Sequence, residues 1–154
     1  MTINWYPGHM VKARREIEAS LKLVDIVVML LDARAPLSCR NPDLEQLARH
    51  KKIIMVLNKS DLAEAAATRS FLKHLRQEGL LAVAMDSLKG QGVRQVMDTI
   101  YQAFESQRQD MLRRGRRVRP VRLMVTGVPN VGKSTFLNSL VGQKMARTGA
   151  RPGV

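Results

Sequence analysis

The sequence predicts a three-layer α/β domain with a mainly parallel sheet, and three observations carry that prediction. Four short apolar runs occur without polar alternation, helical stretches separate them, and a glycine-rich turn stands at the last junction of strand and helix. Strands covered on both faces read as continuous apolar runs, and parallel neighbours need a crossover helix between them.

Taken in order, residues 10–24 place Met10, Ala13, Ile17, Leu21 and Val24 at helical spacing, with Lys12, Arg14 and Arg15 between them. That spacing predicts an amphipathic helix with a basic polar side, making residues 1–23 an N-terminal basic helical segment. The apolar runs Val24 to Leu31, Ile53 to Leu57, Leu81 to Met85 and Val121 to Thr126 are rich in valine and isoleucine and predict four strands. The helices between and after them are predicted over Asp43 to His50, Glu64 to Glu78, Gly92 to about Arg114, and Gly132 to Val141. The stretch Arg113, Arg114, Gly115, Arg116, Arg117, Val118, Arg119, Pro120 is the densest positive patch. It reads equally as a helix end whose arginines oppose the dipole and as a surface that contacts RNA, and both can hold together.

The bulk properties set bounds. A chain of 154 residues with 45% hydrophobic content is one domain with enough apolar material for a core. Cys39 is the single cysteine, so a disulfide framework and a cysteine-based zinc site are both excluded. No apolar run is long enough to span a bilayer. The formal charge of +13, from 26 basic and 13 acidic side chains, points to a polyanionic partner such as RNA, although an anionic membrane surface would also attract it. With 4% aromatic residues, RNA binding would rest on phosphate contacts and shape more than on base stacking.

Two motifs carry the chemistry. Gly127, Val128, Pro129, Asn130, Val131, Gly132, Lys133 and Ser134 fit the phosphate-loop pattern G-x-x-x-x-G-K-[ST] between an apolar run and a helical one. The glycines let backbone amides turn inward around phosphates, and the helix start adds the positive end of its dipole. Lys133 would reach the β and γ phosphates, Ser134 would offer its hydroxyl to Mg2+, and Thr135 continues the loop. The second motif is Asn58, Lys59, Ser60, Asp61, at the carboxyl end of the second apolar run, where open α/β sheets hold their ligands. A carboxylate at Asp61 would accept both the N1 and N2 protons of guanine, a donor pair that adenine lacks. Asn58 would bridge the purine edge to the phosphate loop, and the stem of Lys59 would cover the base. The same tetrapeptide also reads as a helix N-cap ahead of Leu62. Ser87, Leu88 and Lys89 follow the third run and would support the guanine O6, a weaker signal on its own.

These motifs resemble those of the translation-factor-related P-loop GTPases, with the order changed so that the base reader precedes the phosphate loop. With Trp5-Tyr6-Pro7-Gly8-His9-Met10 at the start and Asp32-Ala33-Arg34-Ala35-Pro36 after the first strand, the chain resembles the YlqF/RbgA family of circularly permuted GTPases along its whole length. The resemblance implies the order fourth, first, second, third strand across the sheet. It also implies a GTP- and GDP-binding, GTP-hydrolysing protein that acts late in assembly of the large (50S) ribosomal subunit, with the subunit precursor, its rRNA and its proteins as partners. Further implications are a bacterial cytoplasmic location with mitochondrial relatives as the alternative, a monomer, Mg2+ at Ser134, stimulation by K+ held at Asn130, and His9 as the replacement for a water-positioning glutamine. His9 reads equally as a brace for the first helix.

Leu88 stands where the family more often has alanine. Arg151, Pro152 and Gly153 fall at the family's first switch, ahead of a magnesium-binding threonine, the Asp-x-x-Gly switch and a C-terminal RNA-binding domain expected beyond Val154. Residues 1–154 alone are therefore expected to bind nucleotide, to hydrolyse it poorly, and to leave the strand from Val121 to Thr126 as an aggregation-prone sheet edge. Two further readings are a nucleotide-independent RNA-binding assembly scaffold with a vestigial GTP site and an ATP-dependent kinase or ATPase. The latter leaves Asp61 without a purpose.

Overall fold

The computed structural model describes residues 7–128 and 131–148, with side chains described over 12–128 and 131–143. Helix α1 (Pro7–Leu23) leads into strand β1 (Ile26–Asp32), followed by the short helices α2 (Pro36–Cys39) and α3 (Pro42–Leu47) and by strand β2 (Lys52–Asn58). A 3-10 turn at Ser60–Leu62 precedes helix α4 (Ala65–Gln77), strand β3 (Leu81–Ala84), helix α5 (Val93–Arg113), strand β4 (Leu123–Gly127) and helix α6 (Lys133–Thr148).

The four strands form one parallel sheet in the order β3-β2-β1-β4, as the family resemblance implied. Alternate residues of the central strands face opposite layers. Ile26, Val28, Leu30, Ile54 and Val56 pack with Val96, Ile100 and Phe104 of α5 and with Phe136 and Leu140 of α6. Val27, Met29, Leu31, Met55 and Leu57 pack with Leu21 of α1, Ala48 after α3 and Leu75 of α4. Each fully buried aliphatic side chain contributes about 1.5–3 kcal/mol, and coverage of both faces explains why β1 and β2 show no polar alternation. Among the described residues β4 pairs on one side only, with β1, and all five of its residues are half-buried, as expected of an edge.

Strand limits agree with the sequence reading to within two residues. The helical layer differs more. α1 begins at Pro7, α6 runs to Thr148 rather than stopping at Val141, and α2 was not anticipated. The helix expected over Asp43 to His50 spans Pro42–Leu47, capped by the Asn41 side chain accepting from the Leu44 amide at 3.1 Å.

The arginine-rich stretch divides. Arg119 donates to Asp25 through both terminal nitrogens, at 2.7 and 2.8 Å, and the Arg122 amide adds a third bond to the same carboxylate at 2.8 Å. This clamp ties the segment ahead of β4 to the turn ahead of β1. Arg119 is thus a structural residue, a correction to its grouping with a free basic patch. The Arg119 hydrogen bonds hold the Asp25 carboxyl below its ordinary value against the opposing effect of burial. Such a group stabilises the fold fully above the unfolded carboxylate value, ~4, and loses that contribution as pH falls through the depressed folded value. Asp25→Asn is expected to lower stability near neutrality by about 2 kcal/mol, between the worth of an exposed and a buried pair. Urea midpoints of the two proteins should converge at the acid end of a pH series; a constant difference at every pH would contradict this.

Candidate functional site

All the motif residues whose placement is described gather at the carboxyl ends of the strands. The register is the first cause. Asp32 stands opposite Asn58, so β1 and β2 end level with one another, while Gly127 stands opposite Leu30, so β4 ends two residues short of β1.

Asn58 is the centre of the arrangement. It is 2% exposed. Its Nδ2 donates to the Val131 carbonyl in the phosphate loop at 2.8 Å. Its Oδ1 accepts from the Ser87 amide at 3.0 Å and from the Ser87 hydroxyl at 2.7 Å. One amide thereby joins the end of β2, the phosphate loop and the loop after β3. Burial of an amide is tolerated because both of its ends are satisfied. The Ser139 hydroxyl of α6 lies 2.8 Å from the Ser87 carbonyl and 3.0 Å from the Thr135 carbonyl, so its single proton can extend the same network to α6.

Gly132 shows why the loop needs glycine at that point. Its φ is +92°, and a Cβ placed there would come within 2.6 Å of Asn58 Nδ2, so a side chain would both strain the backbone and displace the clasp. α6 then starts at Lys133, with Lys133 and Ser134 exposed and Thr135 half-buried. Val131 is buried against the core. Pro129 and Asn130 lie outside the described residues, as do Arg151, Pro152 and Gly153; the side chain of His9, in the first turn of α1, lies outside them too.

Lys59 has φ +60° and ψ +36°, a left-handed conformation that costs a side-chain-bearing residue on the order of 1 kcal/mol. It turns the chain sharply from β2 into the Ser60–Leu62 turn, which carries Asp61 at the surface. The N-cap reading of this tetrapeptide is not what the chain does. α4 starts later, behind Glu64, and no side-chain cap bond is made there. The Lys59 ammonium stands 4.0 Å from Asp32 Oδ2. Asp32 in turn accepts from Arg34 Nε at 3.0 Å, Arg34 Nη2 at 2.7 Å and the Arg34 amide at 2.9 Å. The Arg34 bonds hold the Asp32 carboxyl below its ordinary range, and the Asp32 bond raises the guanidinium of Arg34, to which the charge of Asp61 also contributes. Asp32 and Arg34 thus set the charge around Lys59 and Asp61.

The loop after β3 is shaped by Asp86, whose Oδ1 accepts from the amides of Leu88 at 3.1 Å and Lys89 at 3.2 Å. This leaves Ser87 buried on Asn58, Leu88 almost wholly exposed and Lys89 exposed. Sequence reading did not single out Asp86 or Ser139. An aspartate just ahead of a Ser-x-Lys turn was an available signal for the first; nothing local marks the second.

A hollow of about 700 Å3 flanks this cluster between β4 and the α2–α3 segment, touching Gly127, Val128 and Lys133. The motif residues Asn58, Asp61 and Ser87 do not line it. Among the described residues no cluster of His, Cys, Asp or Glu could hold a metal ion, so a cation here would depend on single hydroxyls and on the ligand's own oxygens.

Comparison with known proteins agrees with this geometry. A family model described as 50S ribosome-binding GTPase matches residues 122–154. The chain is 44% identical over 154 residues to ribosome biogenesis GTPase A of Bacillus pumilus, covering all of this chain and 55% of that protein. It is 38% identical over 156 residues to mitochondrial ribosome-associated GTPase 1 of Bos taurus, covering 97% and 46% respectively. Among solved structures it is similar to GNP-bound YlqF from T. maritima, with a TM-score of 0.62 and 28% identity over 86% of this chain and 48% of that one. The chain therefore spans about half the length of the relatives it matches. The permuted motif order on a four-stranded parallel sheet is the fold of a circularly permuted GTPase.

Proposed function

We infer that this chain, a member of the YlqF and ribosome biogenesis GTPase A family along its 154 residues, is the guanine-nucleotide domain of a GTPase that assists late assembly of the large ribosomal subunit. The observation that carries the reading is the Asn58 clasp. It holds a base-reading turn and a phosphate-binding loop, which lie far apart in the sequence, in one fixed relation. A vestigial site would have no need of that relation, so the scaffold reading is not favoured, and an adenine-specific reading leaves the exposed carboxylate of Asp61 unexplained.

The residues take these roles. Asp61 accepts the N1 and N2 protons of guanine, the stem of Lys59 covers one face of the base, and the loop of Ser87, Leu88 and Lys89 presents the exposed lysine to O6, its three backbone amides being engaged by Asn58 and Asp86. The amides from Gly127 to Thr135 and the start of α6 receive the phosphates, with the Lys133 ammonium against the β and γ groups. Ser134 fits a magnesium ligand: its hydroxyl is exposed in the first turn of α6 beside that lysine. When bound, Mg2+ supplies neutralisation of charge between the β and γ phosphates. Asn130 would hold K+ beside the phosphates, and His9 would orient the attacking water. Arg151, Pro152 and Gly153 would open the first switch, and an RNA-binding domain would follow Val154.

No described helix is long and apolar enough to cross a membrane. A bacterial cytoplasmic protein, monomeric in solution, that meets precursor large subunits through RNA is the setting that fits the +13 charge. The test is GTP turnover by the full chain with and without purified large-subunit precursors, in potassium and in sodium. Stimulation by the particles that is greater in potassium is the expected result. Particle binding of equal strength with and without nucleotide, and with no turnover, would replace this reading with the scaffold.

A further inference from the structure

Part of the positive charge that no ion pair among the described residues matches stands at one end of the sheet. No acidic residue follows Asp110 in the sequence, so the end of α5, the linker and β4 bring arginines with no carboxylate among them. The fold then sorts those arginines. Arg113 is engaged by Asp110, and Arg119 by Asp25. Arg114, Arg116 and Arg117 are exposed, and none of the ion pairs among the described residues uses them.

These three side chains project from a turn fixed at both ends. Gly115, at φ +67°, closes α5 with the Arg114, Gly115 and Arg116 amides donating to the Asp110, Leu112 and Met111 carbonyls, the Arg116 bond being 2.8 Å. The clamp of Arg119 on Asp25 pins the other side. Exposed Lys22 at the end of α1, Lys52 at the start of β2 and Arg122 ahead of β4 stand at the same, amino-terminal end of the strands. The carboxylates at that end are already paired: Asp25 with Arg119, Asp110 with Arg113, and Glu78 with Arg40 and His74.

We propose that this face, built on Arg114, Arg116 and Arg117, is a docking surface for the phosphate backbone of structured RNA. The proposal rests on the ribosome-assembly reading above, and it names the surface by which the domain meets its partner. Guanidinium groups on a rigid turn match phosphates at set spacing by paired hydrogen bonds, whereas a fluid headgroup layer gains nothing from fixed spacing. The face lies at the opposite end of the strands from the nucleotide motifs, about 20 Å away for strands of this length, so RNA and nucleotide can be bound together. Helix α1 is the weaker candidate. Its Arg14 is paired with Glu18 at 3.3 Å, and Glu16 lies on the same helix.

The test compares two charge-matched variants of the full chain, Arg114→Gln with Arg116→Gln and Arg117→Gln, and Lys12→Gln with Arg14→Gln and Arg15→Gln. Binding to purified large-subunit ribosomal RNA is measured across a salt series, and GDP binding is measured alongside. Each lost phosphate contact lowers the slope of log K against log salt by about 0.7–0.9, so the first variant should lose about 2 units of slope. Its RNA affinity should fall at least tenfold at low salt, while the second variant keeps most of the slope and both keep wild-type GDP affinity. Equal losses in the two variants would overturn the proposal in favour of diffuse charge. A loss on vesicles of phosphatidylcholine and phosphatidylserine, with none on RNA, would overturn it in favour of a membrane. If the wild type binds GDP and fails to bind RNA, the docking surface is refuted and the nucleotide site stands.

Discussion

Asp61→Asn is expected to weaken GDP binding by about three orders of magnitude and to turn the base preference toward xanthine. Two charge-assisted hydrogen bonds from guanine N1 and N2 end on this carboxylate, and at roughly 1.5–3 kcal/mol each their loss amounts to about 4 kcal/mol, or ~10³ in affinity. An asparagine amide offers a donor where the carboxylate offered an acceptor, which matches the C2 carbonyl of xanthine. Stability should hardly change, because Asp61 is exposed in the Ser60–Leu62 turn and makes no cap bond for α4. That combination, a large specificity effect with an unchanged melting temperature, separates base reading from helix capping. A capping residue would show the reverse. Competition of GDP, xanthosine diphosphate and ADP against a fluorescent guanine nucleotide measures it.

Asn58→Ala should damage both fold and site. It removes one donor and two accepted bonds at a position that is 2% exposed, and it strands the Val131 carbonyl and the Ser87 amide and hydroxyl in the interior. At about 1 kcal/mol per bond the cost is about 3 kcal/mol, a large share of a typical domain's 5–15 kcal/mol. For a chain of this size that lowers the melting temperature by roughly 10 °C. The phosphate loop and the Ser87 loop lose their common tether as well, so GDP should dissociate faster even at temperatures where the variant is fully folded. Calorimetry together with stopped-flow release of a fluorescent GDP distinguishes this from simple destabilisation. An unchanged release rate in the folded variant would show that the clasp serves stability alone.

The strands were legible because burial on both faces leaves Ile26 to Leu31 of β1 and Ile53 to Leu57 of β2 as unbroken apolar runs, with polar residues only at the strand ends. The strand order was legible through the family resemblance, which implied the GTPase sheet that the chain forms. α2 was not legible. Pro36–Cys39 is a single turn, too short to show a helical period, with only a proline at its start as a signal. At the site, Asn58 and Asp61 could be read from their place after a strand. The bond from Asn58 to Val131 could be anticipated only as a bridge to the phosphate loop, its pairing with Ser87 was not read, and the contribution of Ser139 could not be read at all, because 52 positions separate it from the carbonyl it meets. The basic stretch shows the same limit. Sequence displays the five arginines from Arg113 to Arg119 as one patch, while folding engages two of them, Arg113 and Arg119, with carboxylates, the second of them 94 positions away. Contacts across such distances depend on the completed sheet.

The measurement that tests the central claim most directly is equilibrium binding of fluorescent GDP to this chain, with unlabelled GTP and ATP as competitors, in magnesium and potassium. The account predicts saturable binding that GTP reverses and that ATP leaves intact even in large excess. Displacement by ATP as readily as by GTP, or no binding of any nucleotide, would contradict it.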